Sequence, residues 1–193
     1  MGEIINQIEL KKWNKVWYRN KARSYPQAWA TEVEVFDFLY GLARMIKPEN
    51  VLEIGTFEGD TAVAIGRALK DNSLGHLTTV DVKDFGQKSV VENAGLSNFV
   101  TCIIQDIVKY AAETQQSFDL IFIDDGHSYQ EAIRDLEYSN RLIKDYGYII
   151  GHDVLTVPDV TAAYTNFTER YKDRYYKMII DSYDGIFILK RTN

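Results

Sequence analysis

Short apolar runs alternate with stretches of helical periodicity along most of this chain, and that alternation limits the fold more than any other feature. The runs fall at Asn50–Ile54, His76–Asp81, Phe99–Gln105, Phe118–Asp124 and Tyr146–Gly151, while Thr61–Leu69 and Tyr129–Ile143 carry apolar residues at helical spacing. Strand, helix and strand repeated in this way give parallel strands joined by crossover helices. Leu120-Ile121-Phe122-Ile123 is apolar at every position, so both faces of that strand need cover. The pattern predicts an α/β fold: a doubly wound, mostly parallel sheet with helices on both faces.

The two ends differ from the middle. Tyr175–Asp181 and Ile186–Lys190 are strand-like runs joined by Ser182-Tyr183-Asp184-Gly185, which predicts a C-terminal antiparallel hairpin and seven strands in all. Glu32–Met45 reads as a helix stopped by Pro48. Residues 1–30 hold Trp13, Trp17, Tyr18, Tyr25 and Trp29 among many charges, a pattern read as a helical cap, a lid or an oligomer contact such as a homodimer's. Residues 31–193 are expected to form one domain.

Composition removes several function classes. A net charge of −6 argues against a broad basic face for nucleic acid. Cys102 is the single cysteine, so no intramolecular disulfide forms and no zinc site with two or more cysteines can be built. No apolar run approaches the roughly 20 residues that span a bilayer, and Met1–Asn6 does not open a signal peptide. A soluble, cytoplasmic protein is expected, with the sequon Asn166-Phe167-Thr168 unused.

The first run leads into Glu53-Ile54-Gly55-Thr56-Phe57-Glu58-Gly59-Asp60-Thr61 and then a helix. Such a turn brings backbone N–H groups and a helix N-terminus to a ligand. Asp81 ends the second run 22 positions after Gly59, where an acid can accept from ribose hydroxyls. A tight turn with Asp81 as a helix cap is the alternative. A dinucleotide loop wants glycine where Phe57 stands, and Glu58 would repel a pyrophosphate. A sulfonium cofactor bearing an ammonium group suits these acids better.

Val51-Leu52-Glu53-Ile54-Gly55-Thr56-Phe57-Glu58-Gly59 resembles motif I of the class I S-adenosylmethionine (SAM)-dependent methyltransferases. More narrowly, the chain resembles the small O-methyltransferases related to the catechol, caffeoyl-CoA and macrocin enzymes. The resemblance runs from about Thr31 to the C-terminus and implies a Rossmann-like seven-stranded sheet. It also implies a cofactor site of Glu53, Gly55, Thr56, Phe57, Gly59 and Thr61 on the loop, with Glu53, Gly55 and Thr61 at the methionine end. Asp81 and Val82 would meet the ribose side, Gln105 and Asp106 the adenine edge, and Asp124 would complete the set.

A second polar cluster sits at the ends of the fourth and fifth strands, in Asp124-Asp125-Gly126-His127 and Gly151-His152-Asp153. Adjacent parallel strands would bring Asp124 near His152 and Asp153, close enough for one divalent ion that accepts a substrate hydroxyl. His127, with an ordinary pKa of about 6.5, can serve as general base. The resemblance places Asp124, His152 and Asp153 at or beside family metal-ligand positions and His127 at the catalytic base. It implies Mg²⁺, although an imidazole ligand shifts preference toward Mn²⁺ or another transition metal. Each residue also has a plainer reading, with Asp124 and Asp153 as helix caps and His127 as a structural contact.

The expected activity is methyl transfer from SAM to a hydroxyl of a small molecule. A metal-independent or non-catalytic SAM-binding protein is the alternative, and NAD-linked chemistry is disfavoured by Phe57. Specificity is expected from residues 1–30, Lys83–Leu96 and Leu155–Tyr171. There Tyr164, Phe167 and Tyr171 could join Trp29 as an aromatic wall, or form a core face by their helical spacing. Cys102 reads as a core side chain, and His76 carries no assigned role.

Overall fold

A computed structural model of the chain describes residues 31–193. The proposed cap or lid at residues 1–30, Trp29 included, lies outside the described residues. The element order is α1 (Val33–Ile46), β1 (Asn50–Ile54), α2 (Asp60–Asn72), β2 (His76–Asp81), α3 (Gln87–Asn93), β3 (Val100–Ile104), α4 (Ile107–Glu113), β4 (Phe118–Ile123), α5 (Tyr129–Leu142), β5 (Ile143–Gly151), α6 (Pro158–Arg170), β6 (Tyr175–Ile180) and β7 (Ile186–Arg191). The seven strands form one sheet in the order β3-β2-β1-β4-β5-β7-β6. β1 to β5 are parallel, and β7 runs antiparallel to both β5 and β6. This is the doubly wound sheet with a terminal hairpin that the sequence predicts.

The continuous apolar strands divide their side chains between two cores, because successive residues point to opposite faces. Leu52, Ile54, Ile121, Ile123 and Ile149 join the cluster that includes Ile107, Leu136, Tyr164 and Phe167 from α4, α5 and α6. Val51, Leu77, Leu120, Phe122 and Ile150 join the cluster that includes Leu39, Ile65 and Val91 from α1, α2 and α3. Cys102 is partly buried against the second cluster. The His76 ring lies 2.8 Å from Thr101 Oγ1 through Nε2.

One segment read as a specificity region is largely regular structure. Leu155–Tyr171 is mostly α6, and Tyr164 and Phe167 are buried in the first core, so the core reading holds for both. Tyr171, half-buried, donates from its hydroxyl to Glu137. β5 begins at Ile143, three residues before the expected Tyr146, because its pairing with β4 is interrupted by a register shift between Phe118 and Leu120. Tyr146 has a positive φ of 63°, which hides the start of the strand from an alternation test.

Sheet order sets the site. β1 and β4 are neighbours although β2 and β3 intervene in sequence, so the chain reverses direction across the sheet there. A crevice at the carboxyl ends of the strands forms at such a switch point.

Candidate active site

The β1 tail forms the floor. Glu53 is wholly buried, its Oε2 accepts from Thr79 Oγ1 at 2.5 Å, and Oε1 has no hydrogen-bond partner among the described residues. Burial raises its pKa to about 8, and the nearby Asp124 and Asp81 charges add to this while the Thr61 and Thr79 hydroxyls pull the other way. A buried acid with one unmatched oxygen suits a cationic ligand. Thr56 Oγ1 lies 2.5 Å from Thr79 Oγ1 and extends the same network.

Gly55 has a φ of +89°, and a Cβ there would run into the Asp124 carbonyl. Only glycine lets the tails of β1 and β4 approach this closely. Gly59, also at +89°, is the N-cap of α2. Phe57 holds a φ of 46°, and its ring meets Phe85 edge-on at 4.8 Å.

Asp81 ends β2 and anchors the loop. Its Oδ2 accepts from the N–H groups of Thr56 at 3.0 Å and Phe57 at 2.8 Å, and Oδ1 accepts from Lys83 N–H. The sequence leaves ribose binding or a tight turn with Asp81 as a helix cap; the observed bonds are to the backbone of the Thr56-Phe57 turn and of Lys83. Val82 follows, well exposed. Asp106 caps α4 by accepting from Val108 N–H at 2.7 Å, and Gln105 donates to Glu113. The structure thus gives these two residues local partners.

At the ends of β4 and β5, Asp124, His152 and Asp153 converge. Each offers a ligand atom, and these atoms all lie within 4.8 Å of one another. His152 Nδ1 faces Asp153 Oδ1 at 3.2 Å and Asp124 Oδ1 at 3.5 Å. Burial opposes a charge on His152, but its carboxylate neighbours Asp124 and Asp153 outweigh that and drive its pKa far up. Two carboxylates and an imidazole aimed at one point are a donor set that fits a divalent cation of the Mn²⁺ or Zn²⁺ type.

His127 lies beside this group on the loop before α5, with Nε2 2.7 Å from Asp153 Oδ2. That hydrogen bond raises the His127 pKa above its ordinary 6.5, with burial working against it. Asp153 is partly buried, yet bonds to His127 and His152 hold it well below the usual carboxylate range. Its backbone adopts a left-handed φ of 64°, which turns the carboxylate back between the two histidines. Ile123, Leu136, Val160 and Phe187 complete the apolar wall of the same cavity.

Sequence reasoning missed Thr31 and Glu32. Thr31 Oγ1 donates to Asp124 Oδ2 at 2.8 Å, and Glu32 Oε2 lies 2.5 Å from His152 Nε2. Neither carries a local signal, since their partners stand about a hundred positions away in sequence. Thr79 did carry one: Leu77-Thr78-Thr79-Val80 places hydroxyls in a buried strand, which calls for a polar network.

The fold and the site together define a class I methyltransferase domain, and comparison with known proteins agrees. A family model described as a methyltransferase domain matches residues 52–154, and the chain belongs to that family. Its fold is similar to the O-methyltransferase from Bacillus cereus in complex with SAH (TM-score 0.72, 22% identity, covering 98% of this chain and 94% of that one). It is also similar to the SAM complex of the O-methyltransferase TomG from Streptomyces achromogenes, involved in tomaymycin synthesis (TM-score 0.71, 18% identity, covering 97% and 100%). A curated relative, the polyamine aminopropyltransferase of Thermoplasma acidophilum, is 31% identical over 159 residues; the match takes in 72% of this chain and 55% of that protein's length. Among the described residues, no helix is long and apolar enough to cross a membrane.

Proposed function

We propose that this protein transfers the methyl group of SAM to a hydroxyl of a small molecule, with His127 as general base and Asp124, His152 and Asp153 as the residues that would hold a divalent metal. The observation that carries the reading is the His127–Asp153 pair next to the converging Asp124, His152 and Asp153 side chains, beside the switch point. SAM and SAH are bound by several proteins of the same fold, which supports the cofactor assignment.

Each residue has a distinct task. Glu53 presents its unmatched Oε1 to the ammonium end of the cofactor, and Thr61 stands in the first turn of α2 beside it. Asp81 holds the Thr56-Phe57 backbone in shape while Val82 offers an apolar surface to the nucleoside side. Gln105 and Asp106 are assigned to the adenine edge by resemblance. A bound divalent cation supplies Lewis acidity, lowering the pKa of a hydroxyl placed on it. Asp153 can contribute to both features, because Oδ1 faces His152 and Oδ2 faces His127.

With Nε2–H donated to Asp153, Nδ1 of His127 is the basic nitrogen that takes the hydroxyl proton. The acceptor oxygen then attacks the methyl carbon, the carbon–sulfur bond breaks, and the electron pair leaves with a neutral thioether. Alignment of oxygen, carbon and sulfur is the protein's main contribution to that step. A cytoplasmic setting suits the single cysteine.

The test is turnover of deuteromethyl-labelled SAM against a panel of catechols, phenols and sugars, read by product mass, with wild type and His127→Ala. Labelled methyl on a hydroxyl, lost in the variant, supports the reading. SAM binding with no transfer to any acceptor would favour a non-catalytic binder. A second reading, aminopropyl transfer to a polyamine, is favoured by the 31% identity to the curated relative; a parallel assay of polyamines with decarboxylated SAM, which carries the aminopropyl group on its sulfonium, separates the two by the group added.

A further inference from the structure

Two consecutive residues at the start of α1 touch the proposed ligand set. Thr31 Oγ1 donates to Asp124 Oδ2, while Glu32 engages His152 Nε2 at 2.5 Å through Oε2 and accepts from Asp184 N–H at 2.8 Å through Oε1. Glu32 occupies the N-cap position of α1 but makes no side-chain cap bond to that helix. A side chain at this position ordinarily satisfies the helix's own N–H groups. Here it is committed across 120 residues of sequence to a buried imidazole.

The commitment fixes which ring nitrogen faces the site. With Nε2 on Glu32, His152 directs Nδ1 to Asp124 and Asp153. An imidazole binds a cation through one nitrogen while the other carries a proton, and a carboxylate accepting that proton fixes the ring and strengthens the ligand.

We propose that Thr31-Glu32 is a positioning brace for the metal site: Glu32 holds His152 with Nδ1 toward Asp124 and Asp153, and Thr31 fixes the Asp124 carboxylate. The proposal rests on the reading of Asp124, His152 and Asp153 as metal ligands. Glu32 acts through His152 and touches neither substrate nor cation. A purely structural role would consist of pinning the turn between β6 and β7 through Asp184 N–H. Glu32→Gln tests this, because its single amide oxygen cannot accept from Asp184 N–H and His152 Nε2 at once: with the oxygen kept on Asp184 the turn is held and only the His152 bond is lost, whereas a flipped amide gives up the turn and shows in the melting midpoint.

The experiment titrates the full chain with Mn²⁺ alone, reading free Mn²⁺ by electron paramagnetic resonance, for wild type, E32Q, H152N and the double variant. Melting midpoints and SAH affinity are measured alongside. E32Q is expected to weaken Mn²⁺ binding by about 10- to 100-fold with the midpoint and SAH affinity kept. In the H152N background E32Q should add nothing, since the imidazole it serves is gone. Wild-type binding with an unchanged dissociation constant in E32Q, or an equal loss in both backgrounds, overturns the brace and leaves the ligand set standing. No Mn²⁺ binding by wild type overturns the ligand set and the brace with it. Should E32Q melt early, Thr31→Val is read instead: weakened Mn²⁺ binding supports the brace, and unchanged binding overturns it.

Discussion

His127 Nε2 and Asp153 Oδ2 stand 2.7 Å apart although 26 positions separate them in sequence, joined across the ends of two adjacent strands. The pair engages one ring nitrogen of His127 and, on the proposed reading, leaves the second to act as the base. A carboxylate held low by two histidines is a partner that stays ionised throughout the working range of a base.

The His127 ring is therefore expected to titrate above 6.5, and to fall toward that value in Asp153→Asn. Ring proton shifts followed by NMR check this without an acceptor. A raised pKa in the folded state means the pair stabilises the protein below pH about 6.5 and loses that contribution as pH rises through the raised value. His127→Ala should thus lower the melting midpoint more at pH 6 than at pH 9, modestly because the side chain is half exposed. Equal losses at both pH values would contradict the linkage.

Glu53→Gln should separate stability from binding. The folded acid keeps its proton up to pH about 8 while the unfolded one releases it near 4.5, so the folded state binds more protons between those values and stability falls as pH rises across them. The neutral amide removes that slope. At pH 8 the variant is expected to melt no lower than wild type yet bind SAH at least tenfold more weakly. Unchanged SAH affinity would remove Glu53 from the cofactor site.

Gly55→Ala is expected to cost stability by several kcal/mol, because its Cβ meets backbone rather than a movable side chain and its φ of +89° is strained for any L residue. Chemical denaturation measures it. A loss under about 1 kcal/mol would mean that the β1 and β4 tails can separate.

Asp124→Ala and Asp153→Ala should weaken Mn²⁺ binding more than SAH binding, as calorimetry can show. Asp153 also holds His127, so its variant should alter the His127 titration as well, whereas Asp124→Ala should leave the His127–Asp153 bond in place.

The sheet was readable because its strands bury both faces: Leu120 and Phe122 enter one core and Ile121 and Ile123 the other, so every position had to be apolar. Asp124, His127, His152 and Asp153 were readable as a cluster because strand ends adjacent in a parallel sheet are adjacent in space. The bonds Asp81 makes were not, since a carboxylate at a strand end reads alike whether it meets a ribose or two N–H groups of its own loop. Glu32 was invisible for a different reason. Its partner His152 stands 120 positions away in sequence, at the end of β5, and at the head of a helix an acid looks like an ordinary dipole or cap residue.

The central claim is that this fold binds a SAM-type cofactor on the Glu53–Thr61 loop and moves its methyl group at the His127–Asp153 pair. Calorimetric titration of the purified protein with SAH, repeated with Mn²⁺ or Mg²⁺ and after chelation, tests the first half of that claim most directly. The account predicts one SAH per chain, a separate metal signal lost in Asp124→Ala, and no comparable affinity for NADH. Absence of SAH binding in every condition would contradict it.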